Sequence, residues 1–351
     1  MTRHADVVRE HVERICAADV DARTLRLRLL PEIRRAVPFD AYAWVLTDPE
    51  TTVGSAPLAD VPTLADLPRL IRLRYLTALN RWTTLTDPPV ALLSGATDGD
   101  LSRSLLWREL LARHGVSDVA SVVFRDAHGC WAFLELWRIG GATFDAADAA
   151  VLRSLVPPVT AALRRSQALP VAAAPDRRHL PPGPSVLLLS PDLEVVRQTP
   201  GTRDRLRLLV PRDDGGPPVP AGAYNVAAQL LALEAGVDSH PPMARVHLAD
   251  GLWMTLRAAR LDEGPPAPER DIAVTIDEST SAERLALFGR ACGLSDREQE
   301  LLGLLAGGID TREVAGRMYL SAYTVQDHLK SVFAKTGTRN RRALLARALG
   351  G

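Results

Sequence analysis

The stretch Leu320-Ser-Ala-Tyr-Thr-Val-Gln-Asp-His-Leu-Lys-Ser-Val-Phe-Ala-Lys-Thr-Gly337 decides how this chain is read. Ser321 suits a helix N-cap, because its hydroxyl can accept from the amide N–H groups that a first turn leaves unpaired. Val325, Leu329, Val332 and Phe333 recur at the spacing of one helix face. Gly337 stops the helix. Away from that stripe stand Thr324, Gln326, Asp327, Lys330 and Ser331. These are hydrogen-bonding side chains at the spacing a helix needs in a DNA major groove. Charge and periodicity alone leave two readings open: a groove-reading helix, or a four-helix core module that never touches DNA.

Outward from this segment, the neighbours are also short capped helices. Ser295 with Glu298 makes a capping box for a helix whose apolar stripe is Leu294, Leu301, Leu302, Leu304 and Leu305. Gly307-Gly308 ends it. Asp310 with Glu313 caps a second helix through Val314, Ala315 and Met318. Asn340 starts a fourth, with Leu344, Leu345 and Leu349. Two short helices joined by a tight turn, the second basic, form a helix-turn-helix pattern. From Arg317 to Arg347 there are seven basic residues and one acidic, net +6, whereas residues 1–316 carry net −6. A basic end on an acidic body points to a polyanionic partner; a solvated basic face is the plain alternative.

Leu294-Ser-x-Arg-Glu298, Gly308-x-x-Thr-x-Glu-Val-Ala315, Leu320-Ser-x-x-Thr-Val325, His328-Leu-Lys330 and Phe333-Ala-Lys335 resemble the LuxR-type (NarL-type) DNA-binding domain. Five blocks agree in order and spacing over about 56 of 351 residues. The resemblance implies that the third helix enters the major groove, with Gln326, Asp327 and Lys330 facing base edges. It puts Ser321, Thr324, Lys335 and Arg339 near phosphates. Gln can bond adenine bidentately, Lys can donate to guanine, and Asp can accept from cytosine N4. His328 reads as packing at the helix surface, and Arg341 and Arg342 as either backbone contacts or solvated charges. In that family the fourth helix is usually a dimer contact, which makes Leu344 and Leu345 interface or core. Two positions depart from the pattern. Asp310 stands where Ser is commoner and caps equally well. Ala343 stands where an acidic residue would complete a capping box from Asn340, which weakens the start of the fourth helix.

The rest of the composition excludes more than it specifies. Only Lys330 and Lys335 are lysine, so residues 1–329 offer no amine. A Walker A lysine, a Schiff-base lysine, an S-x-x-K pair and a receiver-type phosphoacceptor site are all absent there. No G-x-S-x-G, H-E-x-x-H or G-x-G-x-x-G after a strand occurs, so the chain does not read as an enzyme, and no cofactor is expected. Cys16, Cys130 and Cys292 are far apart and lack metal spacing, which fits reduced thiols and no metal site. The N-terminus lacks an apolar signal region, and no uninterrupted run of about 18 apolar residues occurs, so a cytoplasmic protein without a membrane span is expected.

Proline-rich stretches divide the chain into 1–168, a linker at 169–184, 185–278, a connecting helix at 279–293, and 294–351. In the first region helices are expected at 4–18, 22–36, 64–80 and 101–114, with a strand at 40–47. A hairpin follows, 118–125 with 130–137, around Asp126-Ala-His-Gly129. A closing helix from Phe144 to Gln167 is expected to bend or split at Pro157-Pro158. The second region reads as strands 186–189 and 193–196, helices 200–209 and 222–235, a hairpin around Asp250-Gly251, and a strand 272–276. The order of elements in the first region resembles a GAF domain and in the second a PAS-like fold. The expected whole is multidomain: an α+β GAF-like domain, an α+β PAS-like domain and an all-α four-helix LuxR-type domain. Trp44, Trp107, Trp131, Trp137 and Trp253 are core aromatics or pocket walls. The expected partners are double-stranded promoter DNA, a second copy as homodimer, and a small-molecule or protein effector at the sensory domains. The competing reading is an interaction protein whose terminal helices only dimerise.

Overall fold

The computed structural model describes residues 2–62, 66–171, 183–209, 221–247, 252–261 and 270–349. Most of the linker, the Pro/Gly loop at 211–218, the Asp250-Gly251 turn and the Pro-rich loop at 264–268 lie outside the described residues.

Helices α1 (Thr2–Cys16) and α2 (Ala22–Ala36) open the chain, the second capped by Asp21. Strands β1 (Ala41–Thr47) and β2 (Gly54–Asp60) follow, then α3 (Leu67–Leu76), β3 (Val90–Leu92), α4 (Leu93–Ala96) and α5 (Leu105–Glu109). β4 (Val116–Asp126) and β5 (Gly129–Ile139) form the expected hairpin, and α6 (Ala146–Val171) closes the region. The sheet order is β2-β1-β5-β4-β3, all antiparallel. Gly129 is needed at its turn: its φ is +148° and a Cβ there would come within 2.3 Å of Pro49 O.

Side chains alternate across this sheet, as the pleat requires. Trp44, Leu46, Leu134, Leu136, Val122 and Phe124 face α1, α2 and α6. The helix side contributes Leu25, Leu29, Ile33, Leu152, Val159 and Leu163. Residues 146–168 are long and apolar enough to cross a membrane, but their apolar stripe is spent on this core. α6 is not split at Pro157-Pro158; it runs through both prolines as one helix. Its packing against the sheet on either side of the prolines offsets the lost backbone bonds.

A second antiparallel sheet repeats the same topology. β6 (Val186–Leu189), β7 (Val195–Gln198), β8 (Met243–His247), β9 (Trp253–Arg260) and β10 (Ile272–Glu278) order as β7-β6-β10-β9-β8. α7 (Thr202–Leu209) and α8 (Ala221–Glu234) lie between β7 and β8 in the chain. α8 is buried at every residue from Ala221 to Ala232. A helix whose sides are mostly apolar all round must be covered all round, and α8 is covered because it sits between the two sheets. One apolar core joins Val45, Val123 and Phe133 of the first sheet to Ala227 and Leu231 of α8 and to Leu256 and Ile276 of the second sheet. The two regions that the sequence separates by a proline-rich stretch therefore share a core.

Buried ion pairs pin the same seam. Arg245 on β8 grips Asp48 bidentately, Nε to Oδ2 at 2.6 Å and Nη2 to Oδ1 at 2.7 Å. Their side chains are 2% and 0% exposed. Arg81 meets Asp238 at 2.7 Å, with side-chain exposures of 1% and 2%.

The last elements are α9 (Ser281–Ala291), α10 (Asp296–Ala306), α11 (Thr311–Arg317), α12 (Ala322–Thr336) and α13 (Arg341–Leu349). α9 touches everything. Ala291 joins the first core, Arg245 Nη1 donates to Glu283 O at 3.2 Å, and Leu287 and Phe288 enter the core of the terminal helices. Trp253 of β9 enters that same core.

Candidate nucleic-acid interface

The caps read from the sequence set the geometry of α10 to α13. Ser295 and Glu298 form a reciprocal capping box on α10. Asp310 alone caps α11, accepting from the amides of Arg312 and Glu313, both at 2.9 Å. Glu313 instead pairs with Arg317 at 2.7 Å. Ser321 Oγ accepts from Thr324 N at 3.0 Å and lies 2.8 Å from Thr324 Oγ1. Gly337 ends α12 at φ +63°, and Asn340 Oδ1 accepts from Ala343 N at 2.8 Å. Between α11 and α12, Tyr319 adopts φ +56° and makes the tight turn.

Val325, Leu329 and Val332 bury the inner face of α12 against Leu301, Leu302 and Val314. Gln326, Asp327 and Lys330 are all exposed on the outer face. Lys330 Nζ lies 3.1 Å from Asp327 Oδ1, with side chains 74% and 47% exposed. A pair so exposed is worth little, so the ammonium can leave it for a ligand. Tyr323, 75% exposed, belongs to the same stripe. It precedes Gln326, Asp327 and Lys330 by three, four and seven residues, the spacing of one face. That spacing is legible in the sequence. Tyr319, 95% exposed, stands beside the stripe at the turn.

Other site residues are engaged within the protein. Ser321, exposed, and Thr324, half-buried, are engaged in the cap. Lys335 Nζ sits 2.6 Å from Glu298 Oε2, and Ser331 Oγ donates to Glu298 Oε1 at 2.6 Å. The same Oε2 accepts from Ser295 N at 2.7 Å. Arg339 is exposed. Arg341 is half-buried, and its Nη2 donates to Leu305 O, 2.9 Å, at the end of α10. Leu344 is fully buried in this domain's own core and Leu345 packs on the edge of it, so Leu344 is core rather than interface.

Glu298 is the latch between α10 and α12. Burial alone would raise its carboxyl, but hydrogen bonds from Lys335, Ser331 and the Ser295 amide outweigh that and hold it at about 2. A carboxyl held below its unfolded value contributes stability above the unfolded value and loses it as pH falls towards the folded one. Glu298→Ala is expected to destabilise the chain by about 3 kcal/mol at pH 7. The difference from wild type should shrink as pH falls from about 5 to about 2. Urea titrations at several pH values check both.

Residues 293–348 match GerE, the bacterial regulatory proteins of the luxR family. A probable HTH-type transcriptional regulator, GfsR of Streptomyces halstedii, is 33% identical over 95 residues, 26% of this chain and 39% of the relative. The DNA-binding transcriptional activator DevR/DosR of Mycobacterium tuberculosis is 41% identical over 49 residues, 14% of this chain and 23% of the relative. The chain thus spans well under half the length of either. Among solved structures, a Vibrio cholerae VqmA dimer is 18% identical, covering 48% of this chain and 82% of its own at a TM-score of 0.18. A bacteriophytochrome from R. palustris is 15% identical, covering 80% and 62% at 0.30. Scores that low carry no argument about the upstream fold. Residues 293–348 form a helix-turn-helix domain of the luxR family of bacterial regulatory proteins.

Proposed function

We propose that the chain is a cytoplasmic, sequence-specific transcriptional regulator that binds double-stranded promoter DNA through α12. The observation that carries this reading is one helix with two opposed faces. The inner face is buried core, and the outer face presents Gln326, Asp327 and Lys330 to solvent from the basic end of an otherwise acidic chain. Those three read base edges. Ser321, Thr324 and Arg339 contact phosphates, and Lys335 joins them through the ammonium hydrogens that Glu298 leaves free. No enzymatic step and no cofactor is part of the function.

The sheets upstream are a GAF-like and a PAS-like sensory module, and their effector is a small molecule or another protein. α12 is already exposed, with Tyr323 three-quarters open to solvent, so control does not act by uncovering it. Instead α9, which touches both sheet modules and the terminal core, sets the placement of α10–α13. In a homodimer that fixes the spacing of two α12 helices, which must meet half-sites about one helical turn apart. The exposed part of α13, Arg342 and Ala343 with Leu345 at its margin, belongs to the dimer contact.

The test is binding of the full chain to duplex DNA from its own promoter region and to unrelated duplex of equal length. A preference of at least about a thousandfold for one promoter segment is expected. Equal, weak binding to both would favour the interaction-protein reading, in which the terminal helices serve only to join copies.

A further inference from the structure

The face of the first sheet turned towards α8 is not filled. Cross-strand register places Ala59, Ala43 and Glu135 in one row, and Pro57, Val45 and Phe133 in the next. The small side chains of Ala43, Ala59 and Pro57 leave a hollow, where the opposite face of the same strands carries Trp44 and Leu134. α3 walls the hollow with Leu70, Ile71 and Tyr75, and α8, from the second module, roofs it with Ala221 and Asn225. The cavity measures about 60 Å³.

Apart from the Tyr75 hydroxyl, which accepts from Gly54 N at 2.9 Å, its lining is apolar except at two places. One is a buried ion pair, Arg74 with Glu135, whose side chains are 8% and 6% exposed. Arg74 is further held by Asn80 O, to which Nη2 donates at 2.7 Å. The other is Asn225, 4% exposed, whose carboxamide has no hydrogen-bond partner among the described residues. It is held close to β2, because a Cβ on Gly54 would come within 3.0 Å of its amide carbon and nitrogen. Buried amides are almost always paired, as Gln229 on the same helix is with His240 O at 2.8 Å, so one left unpaired against an apolar cavity calls for a partner.

We propose that this cavity is a ligand site at the seam between the two sheet modules. Its ligand is a small uncharged molecule with an apolar body and one carbonyl or hydroxyl group, which pairs with Asn225. A net charge is disfavoured because the one ion pair in the wall is already self-neutralised and the remaining lining cannot solvate a charge. At roughly 10–15 Å³ of such volume per water-sized group, the cavity holds about four to six non-hydrogen atoms. Because the floor belongs to β1, β2 and β5 and the roof to α8, occupancy adds contacts across the seam. That consequence for regulation rests on the sensory reading above. Binding itself does not, and it is measured without DNA, so its failure leaves the DNA reading untouched and the reverse also holds.

The probes are cyclopentanone and its isostere methylenecyclopentane, which has the same shape and no hydrogen-bonding oxygen. Each is titrated into the full chain, with binding read by chemical-shift changes and by the thermal unfolding midpoint. Cyclopentanone is expected to bind saturably and raise the midpoint. Methylenecyclopentane should bind about tenfold more weakly, the worth of one buried hydrogen bond. Asn225→Leu should remove that preference and raise the midpoint of the ligand-free chain. If Asn225→Leu does not fold, Ala43→Met fills the floor from the other module and should abolish binding of both probes. Equal affinity for the two probes in the wild type, unchanged ketone preference in Asn225→Leu, probe binding that survives Ala43→Met, or no saturable binding of either probe overturns the proposal.

Discussion

Asp48→Ala is expected to cost about 3–5 kcal/mol of folding stability, because it leaves a buried guanidinium without its partner. Asp48 sits at the end of β1 in the first module, and Arg245 on β8 in the second, both almost fully buried. Burial by itself pushes the Asp48 carboxyl up; the Arg245 guanidinium, with the amides of Arg245 and Glu50, more than reverses this and holds it below the ordinary carboxylate range. Removing the carboxylate leaves Arg245 with the half-exposed Glu50, 3.0 Å from its Nη2, and with Glu283 O. The damage is local to the seam, so urea unfolding should separate into two transitions where the wild type shows one. The pH dependence has a definite sign. The stability that Asp48 supplies is complete above its unfolded pKa and is lost as pH falls below it. A single transition shifted by less than about 1 kcal/mol, no more than an exposed pair contributes, would show that the modules do not depend on this pair.

The second large effect concerns recognition rather than stability. Gln326→Ala and Lys330→Ala are each expected to weaken binding to the preferred DNA by about 1–3 kcal/mol and to relax preference at one base position. Neither should lower thermal stability, since both side chains are exposed and outside the core. Arg339→Ala, in contrast, should weaken all duplexes alike and lower the salt dependence, because a phosphate contact carries no sequence information. Competition binding against duplexes substituted one position at a time separates the two classes. If the base preferences of Gln326→Ala and Lys330→Ala match the wild type, another face of the domain reads the DNA.

The terminal helices were legible because most boundaries carry a local cause: Ser295, Asp310, Ser321 and Asn340 at the starts, Gly307-Gly308 and Gly337 at the stops of α10 and α12. The β4–β5 hairpin was legible for the same reason. β2 was missed because Gly54, Pro57 and Asp60 disfavour a strand, and only its edge position, paired on one side with β1, tolerates Pro57. β3 is three residues long, too short for periodicity to register. Pro157-Pro158 does not split α6, because packing along one face of the helix overrides a local breaker. The shared core could not be read at all, since Asp48 and Arg245 are 197 residues apart and α8 looks like any apolar helix until both its neighbours are known. At the interface, the reading of Lys335 as a phosphate contact had no way to see Glu298, which is 37 residues away and holds the lysine's ammonium.

The measurement that bears most directly on the central claim is the affinity of the full chain for its preferred promoter segment across salt, with a scrambled duplex alongside. If α12 lies in the groove with its flanks on the phosphates, log K falls linearly with log salt. Affinity then drops about a hundredfold or more between about 50 and 200 mM, and the preferred segment stays ahead of the scrambled one throughout. An affinity independent of salt, or one identical for both duplexes, would contradict it.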